Sequence, residues 1–187
     1  MQDYRAWFIV KRLVNYRRDI NSKYLQKDRY WLEIANNELV HRGPDSSGIW
    51  WSQDQKVGLA HRRLAIQDVS SSGNQPMHFS ERKISIVFNG EIYNFKELRK
   101  ELEILGHKFK SKTDTEVLLK AYTEWGKEMV KNLNGMFVFA IYDEIQNIVF
   151  IARDRSGEKP LYYYHEKETI FFASELKALF SNKNLIK

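Results

Sequence analysis

Apolar residues alternate with polar ones, or form short continuous stretches, in seven places between residues 48 and 175. The segments are GIWWS, KVGLAHRRLAI, KISIVF, GMFVFAIYD, NIVFIARD, PLYYYHE and TIFFASE. Such segments are typical of β-strands. Short polar turns join most of them, which favours antiparallel pairing. Several are apolar at nearly every position, which indicates that both faces of their sheets are covered. The pattern predicts an α+β protein of layered antiparallel sheets.

Helical spacing begins near residue 30. YWLEIANNELVHR places Trp31, Ile34 and Ala35 on one face and ends near His41, before a Gly-Pro pair that stops a helix. Two further helices, FKELRKELEIL and DTEVLLKAYTEW, are predicted between strands, and a short one, LKALF, lies close to the C-terminus.

Two of these helices carry capping residues at their predicted starts. Asn94 is followed by Glu97, and Thr113 is followed by Glu116. A short polar residue with a glutamate three positions later can satisfy two free backbone N–H groups at a helix start. Both pairs are therefore predicted to form capping boxes.

Residues 1–30 differ from the rest of the chain. AWFIVKRLVNYRRDI places Trp7, Val10 and Val14 at helical spacing, with lysines and arginines between them. One interpretation is a short basic amphipathic helix that binds a membrane or a partner. The other is a segment that packs poorly and frays. We therefore divide the chain into a divergent basic segment, residues 1–30, and one folded domain, residues 31–187.

The net charge of +6 is concentrated in the same segment. Residues 1–30 hold eight basic and three acidic side chains, so the other 157 residues are close to neutral. A near-neutral charge over residues 31–187 argues against a nucleic-acid-binding domain. Binding of a nucleic acid or another anionic surface through residues 1–30 is a minor alternative. No apolar stretch approaches the roughly 20 residues of a membrane span, and no signal peptide is recognisable. We expect a cytoplasmic protein with no nucleic-acid or membrane partner.

Cysteine is absent from the sequence. This excludes disulfides, cysteine-ligated zinc and a cysteine nucleophile in these 187 residues. The five histidines show neither H-x-x-x-H nor H-E-x-x-H spacing. No metal site is therefore expected.

The segment VFNGEIYN joins a predicted strand to a predicted helix and carries Asn89, Gly90 and Glu91. A side-chain amide beside a glycine N–H can point two donors at one oxygen, as an oxyanion hole requires. Glu91 could accept a hydrogen bond from a substrate amide or ammonium group. The alternative is a hairpin turn, because Asn-Gly is a frequent turn pair.

Arg63 and Asp114 each have a functional and a structural interpretation. Arg63 interrupts an apolar strand, where its guanidinium could clamp a carboxylate in two hydrogen bonds or form an ion pair with an acid such as Asp68. Asp114 opens a helix, where it could bind an ammonium group or simply stabilise the helix dipole. Taken with Asn89 and Gly90, the functional interpretations describe a site for a free amino acid that undergoes acyl transfer, and a side-chain amide fits best.

Seven motifs in order resemble the glutaminase domain of asparagine synthetases, a class II glutamine amidotransferase domain. They are HRGPDSSGIW, HRRLAIQDVSSSGNQPM, FNGEIYNFKELRKEL, TDTEVLLKAY, LNGMFVFAIYD, ARDRSGEKPLYY and FASELKAL, and they cover residues 31–187. The resemblance implies the N-terminal-nucleophile hydrolase fold, a four-layer αββα sandwich of antiparallel sheets.

The resemblance also implies the roles of individual residues. Arg63 would hold the carboxylate of L-glutamine, and Asp114 would hold its ammonium group. Asn89 and Gly90 would form the oxyanion hole, and Glu91 would help to bind the substrate. The backbone lining the pocket would come from Leu64, Ala65, Ile66 and Gln67. HRGPD (residues 41–45) and RDRSGEKPLYY would be structural.

In this family the released ammonia passes to a synthetase domain that uses ATP and Mg²⁺. The chain shows no such domain after the glutaminase motifs, so we expect it to bind neither ATP nor Mg²⁺. The partner can be a synthetase domain on another chain, and the sequence does not decide whether the protein forms oligomers. The acceptor is also open, because relatives amidate other carboxylates.

The chain departs from the family at its nucleophile. The family uses an N-terminal cysteine, in an opening strand resembling CGIAGI, with its own α-amino group as the base. This chain begins MQDYRAWFIV, so the domain is expected to lack its normal first strand and to be inactive as a glutaminase. A change of reading frame, gene decay or repurposing would each explain the difference. The alternative function is a non-catalytic glutamine-binding or protein-interaction module.

Overall fold

The computed structural model describes residues 6–12, 22–65, 70–166 and 169–181. Contacts divide the described residues into two compact units. One, the central unit, spans Ala65–Lys159, and the other, the flanking unit, is formed by the described residues on either side of it. The described part of the chain contains nine β-strands and four α-helices.

The flanking unit contains a five-stranded antiparallel sheet with the strand order β2-β3-β1-β9-β8. Two helices, α1 and α4, contact this sheet. The elements are β1 (Ala6–Arg12), α1 (Ser22–Asn37), β2 (Ser46–Trp51), β3 (Val57–Arg63), β8 (Tyr162–Glu166), β9 (Thr169–Ala173) and α4 (Leu176–Phe180).

The prediction that the domain lacks its first strand is wrong, and so is the helical interpretation of AWFIVKR. Strand β1 lies in the middle of the sheet, with Phe8 opposite Ala60 of β3 and Ala173 of β9. Its aromatic and β-branched residues favour a strand. Hydrogen-bonded neighbours on both sides then outweigh the weak helical spacing that the sequence shows.

Helix α1 is confirmed, but it begins eight residues before Tyr30 and ends at Asn37. Trp31 is buried, packs edge-to-face on Phe171 with ring centroids 5.2 Å apart, and donates its indole N–H to Ser181 Oγ at 3.1 Å. These contacts attach α1 to β9 and to the end of α4. The helix therefore covers the apolar core of the flanking unit.

The HRGPD segment forms a tight corner after α1, as expected for a structural motif. A 3-10 turn covers Val40–Arg42, and Arg42 forms an ion pair with Glu175 at 2.7 Å. A Cβ atom on Gly43 would lie 2.4 Å from the carbonyl carbon of Arg62, so only glycine fits there. The corner brings the chain directly into β2.

The central unit contains a four-stranded antiparallel sheet with the order β4-β5-β6-β7. Helices α2 and α3 pack on one face of it and share an apolar core with Phe88 and Phe139. Strand β4 was not among the predicted strands, because it is only three residues long. The elements are β4 (Met77–Phe79), β5 (Ile84–Ile92), α2 (Phe95–Ile104), α3 (Asp114–Trp125), β6 (Gly135–Asp143) and β7 (Ile148–Arg153).

Thr113 is confirmed as a helix cap and Asn94 is not, but neither pair forms the predicted capping box, since the Glu116 carboxylate accepts the N–H groups of Lys110 and Ser111 and not that of Thr113. Thr113 Oγ1 accepts the N–H of Glu116 at 3.2 Å, as a capping residue should. Asn94 precedes α2 but makes no capping bond. Its amide instead bonds the carbonyl of Asn132 at 2.8 Å and the N–H of Asn134 at 2.9 Å. Asn94 therefore ties the start of α2 to the segment that leads into β6.

None of the helices in the ranges described above is long and apolar enough to cross a membrane.

Candidate functional site

The Asn-Gly-Glu segment lies within β5 and not in a turn. Its three residues are paired with β6, so the hairpin-turn alternative is wrong. The partners of Asn89, Gly90 and Glu91 are Val138, Phe137 and Met136. The strand continues to Ile92 before the chain turns into α2.

Side chains of β5 alternate between two environments. Ile86, Phe88 and Ile92 belong to the core under α2 and α3. Because successive residues of a strand point to opposite faces, Asn89 and Glu91 project together from the other face. The register therefore places an amide and a carboxylate side by side, away from the helices.

Gly90 allows β5 and β6 to approach each other closely. Its φ angle is +149°, and a Cβ atom there would lie 2.1 Å from the carbonyl oxygen of Met136. Gly135 opposes Ile92 and is similarly confined, since its Cβ would lie 2.2 Å from the carbonyl oxygen of Glu91. The glycine of the motif is thus required by packing as well as by any role toward a ligand.

The side chain of Asn89 is fully buried, with 0% of its surface exposed. Neither its Oδ1 nor its Nδ2 has a hydrogen-bond partner within the described residues. A buried amide left unpaired costs about 1–3 kcal/mol for each polar group. Unpaired buried polar groups are rare in folded proteins, and at functional sites a bound ligand can supply the missing hydrogen bonds.

Asp114 is almost completely buried, with 1% exposed, at the start of α3. Its Oδ2 accepts the backbone N–H of Ile92 at 3.3 Å. The helix start is therefore tied to the end of β5, next to Glu91. The central unit thus contains Asn89, Gly90, Glu91 and Asp114, four of the residues predicted to form the site, and Asp114 contacts the end of the strand that carries the other three.

Gln75 supports the candidate site from a neighbouring position, and the sequence did not indicate this role. It is buried, its Oε1 accepts the N–H of Phe88 at 2.7 Å, and its Nε2 donates to Thr115 Oγ1 at 3.3 Å. Phe88 precedes Asn89, and Thr115 follows Asp114. Gln75 therefore connects the two segments that carry the candidate site residues, and only its place before a proline marked it in the sequence.

Replacing Gln75 with leucine is expected to lower the free energy of unfolding by about 2–4 kcal/mol, because two buried polar groups lose their partner. Urea unfolding followed by circular dichroism measures the change. Gln53, which is exposed, serves as the control, and its replacement with leucine should change stability by less than about 0.5 kcal/mol. Equal effects of both variants would show that Gln75 does not connect the segments.

The other predicted site residues follow β3. Arg63 ends β3 in the flanking unit, is buried, and accepts the N–H of Asp45 at 3.0 Å through its carbonyl oxygen. Leu64 and Ala65 are half-buried and follow directly. Ile66 and Gln67, together with Asp68, the possible ion-pair partner of Arg63, lie outside the described residues. The role of Arg63 stays a prediction.

The RDRSGEKPLYY segment has the contacts of a structural loop. Asp154 is buried and accepts the N–H groups of Glu158 at 2.9 Å, Lys159 at 3.1 Å and Phe137 at 3.2 Å. Burial alone raises the pKa of the Asp154 carboxyl, but the backbone N–H groups outweigh it and hold that pKa below 3.8. The ionised carboxylate therefore fixes the loop to β6.

Within the described residues, no group of three or more histidine, aspartate or glutamate side chains is placed to hold a metal ion.

Comparison with known proteins identifies the family. The glutamine amidotransferase domain family matches residues 20–187. Bacillus subtilis (strain 168) asparagine synthetase [glutamine-hydrolyzing] 3 is 41% identical over 165 residues, covering 87% of this chain and 26% of the relative. Asparagine synthetase [glutamine-hydrolyzing] 1 of the same organism is 45% identical over 156 residues, covering 83% of this chain and 24% of the relative. The chain thus spans about a quarter of the length of these relatives.

The fold agrees with that of solved amidotransferases. The glutamine phosphoribosylpyrophosphate amidotransferase from B. subtilis, complexed with ADP and GMP, superposes with a TM-score of 0.72 at 20% identity. The match covers 94% of this chain and 43% of that chain. This likeness confirms the predicted α+β, N-terminal-nucleophile hydrolase fold. The chain therefore belongs to the glutamine amidotransferase domain family and resembles the glutaminase domains of asparagine synthetases.

Proposed function

We propose that this chain is a glutamine-binding amidotransferase domain of an asparagine synthetase-like protein, and that it binds L-glutamine without hydrolysing it. The observation that carries the binding proposal is Asn89, whose fully buried amide has no partner among the described residues. Family membership supplies the substrate class.

The buried groups of the central unit match the parts of glutamine. Asp114 is an acid held at the end of β5, where it would bind the α-ammonium group. Asn89 and Gly90 would donate hydrogen bonds to the side-chain carbonyl oxygen, and Glu91 would accept from the side-chain amide. Arg63, with the backbone of Leu64, Ala65, Ile66 and Gln67, would hold the α-carboxylate.

Hydrolysis requires a group that these residues do not provide. In a cysteine-dependent amidotransferase, a thiolate adds to the amide carbon, the carbonyl oxygen becomes an oxyanion, and ammonia leaves. None of the 187 residues is a cysteine. An oxyanion hole without its nucleophile can still hold the ground-state amide. Loss of such a nucleophile removes several orders of magnitude of catalysis.

The remainder of the proposed pathway lies beyond this chain. A synthetase domain as partner, on the same polypeptide or another, is proposed from the relatives alone, and under this proposal the chain releases no ammonia for it. The acceptor carboxylate stays open for the same reason.

Calorimetric titration with L-glutamine, combined with an ammonia-release assay, tests this proposal. We expect saturable binding that also raises the unfolding midpoint, no binding of D-glutamine, and ammonia release several orders of magnitude slower than that of B. subtilis asparagine synthetase 3. Ammonia release comparable with that of the relative would overturn the inactivity. Absence of glutamine binding would overturn the site.

A further inference from the structure

The central unit contains a cavity that shares no residue with the candidate glutamine site. It lies beside β4 and α3, together with the segment that joins α2 to α3, and has a volume of about 630 Å³. This volume is typical of a site for a small organic molecule. The lining includes Phe79, Glu81, Lys108, Lys110, Glu116 and Lys120.

Lys120 is the one buried lysine of this lining, with 9% of its surface exposed, whereas Lys108 and Lys110 are exposed. Its Nζ lies 3.4 Å from the centroid of the Phe79 ring. In the described ranges, no carboxylate lies within ion-pair distance of this ammonium group. A cation over a ring recovers part of the energy lost by leaving water, but a buried charge normally has an oppositely charged partner as well.

Among the described residues, neither glutamate of the cavity forms an ion pair with Lys120. Glu116 accepts the backbone N–H of Lys110 at 2.8 Å, and the N–H and hydroxyl of Ser111 at 2.6 and 2.7 Å. Its oxygens are therefore already engaged. Burial lowers the pKa of Lys120, although Glu116 and Glu81 act in the opposite direction. The two glutamates therefore attract the Lys120 ammonium group, but neither forms an ion pair with it.

The lining as a whole carries more positive than negative charge. Lys108, Lys110 and Lys120 face two carboxylates, and Phe79 and Leu119 add apolar surface. A ligand that complements this lining has an anionic group for Lys120 and a small carbon body. We propose that this cavity binds a small organic anion through a phosphate or carboxylate group, with Lys120 as its ion-pair partner.

The site is separate from the one proposed for glutamine. Lys120 lies six residues after Asp114 on α3, which is about 9 Å along a helix. The glutamine site uses Asp114 of this helix and the end of β5, whereas the cavity is lined by Glu116, Leu119 and Lys120 of the same helix. Binding at the two sites can therefore be measured independently.

Calorimetric titrations with inorganic phosphate, glycerol 3-phosphate and succinate test the proposal, with glycerol as the neutral control. We expect at least one anion to bind the wild type with a millimolar or lower Kd. Lys120→Met should lower its affinity at least about tenfold, the effect of losing one charged hydrogen bond. Lys100→Met, at an exposed lysine of α2, should leave it unchanged. The preferred anion distinguishes a phosphate ligand from a carboxylate ligand.

Two further measurements are the anion affinity of Lys120→Gln and the L-glutamine affinity of every variant. Lys120→Met is expected to fold, because an apolar side chain replaces a buried charge without an ion-pair partner, and Lys120→Gln should lose the same affinity. L-glutamine affinity should be equal in all variants, so failure of this proposal is distinct from failure of the glutamine site. The proposal is overturned if none of the three anions binds the wild type, or if both Lys120 variants bind them as the wild type does.

Discussion

Replacing Gly90 with alanine is expected to lower the free energy of unfolding by at least about 3 kcal/mol. Two effects combine: a φ of +149° strains any L-residue, and the added methyl group would meet the carbonyl oxygen of Met136 at 2.1 Å. Because that oxygen belongs to the paired strand β6, relief requires the two strands to separate. Since domains are stable by only about 5–15 kcal/mol, this loss removes a large share of the stability and should lower both the urea midpoint and the thermal unfolding midpoint.

Gly106 provides a matched control for this prediction. It also has a positive φ, of +95°, but a Cβ atom there would meet nothing within 4 Å. Gly106→Ala should therefore show only the backbone strain, about 1–3 kcal/mol. Urea unfolding of both variants separates strain from steric contact. If the two variants lose the same stability, the close approach of β5 to β6 does not confine Gly90.

Local sequence patterns predicted most strands and helices because their causes are local. The alternation in KISIVF appears as β5, whose even-numbered residues pack under the helices. Thr113 caps α3 through a contact with a residue three positions away. In both cases the interacting groups are close in sequence, so spacing alone was sufficient.

Local sequence patterns did not predict the features that depend on contacts between residues far apart in the sequence. Strand β1 is held by β3 and β9, which lie about 50 and 160 residues further along the chain. Gln75 joins Phe88 to Thr115, and Asn94 bonds the segment before β6. In each case a partner far along the chain decides the conformation or the contact, and local propensity does not indicate that partner.

The sequence indicated the candidate site through the types of its residues, and it did not indicate which of them are in contact. The residue types of Asn89, Gly90 and Asp114 indicated an amino-acid ligand, but the contact between Asp114 and Ile92 appears only in the folded chain. The unpaired amide of Asn89 is likewise a structural finding. The residue types therefore indicated an amino-acid ligand as a hypothesis, and the unpaired amide in the folded chain is a reason to expect a ligand.

Replacing Asp114 with asparagine is expected to weaken L-glutamine binding at least about 100-fold, because the ammonium group of the ligand loses its buried partner. Asparagine has nearly the same shape, and its Oδ1 can still accept the N–H of Ile92. The protein should therefore remain folded, with a loss of about 0.5–1 kcal/mol from the helix dipole. Calorimetric titration measures the affinity, and urea unfolding measures the stability.

Glu97→Gln separates this binding role from a purely structural one. Glu97 also lies in the first turn of a helix, α2, but it is exposed. Both substitutions remove an acid from a helix start, so both share the small dipole effect on stability. Only Asp114→Asn should change glutamine affinity. If both variants bind glutamine as the wild type does, Asp114 serves the helix alone and the ammonium site must lie elsewhere.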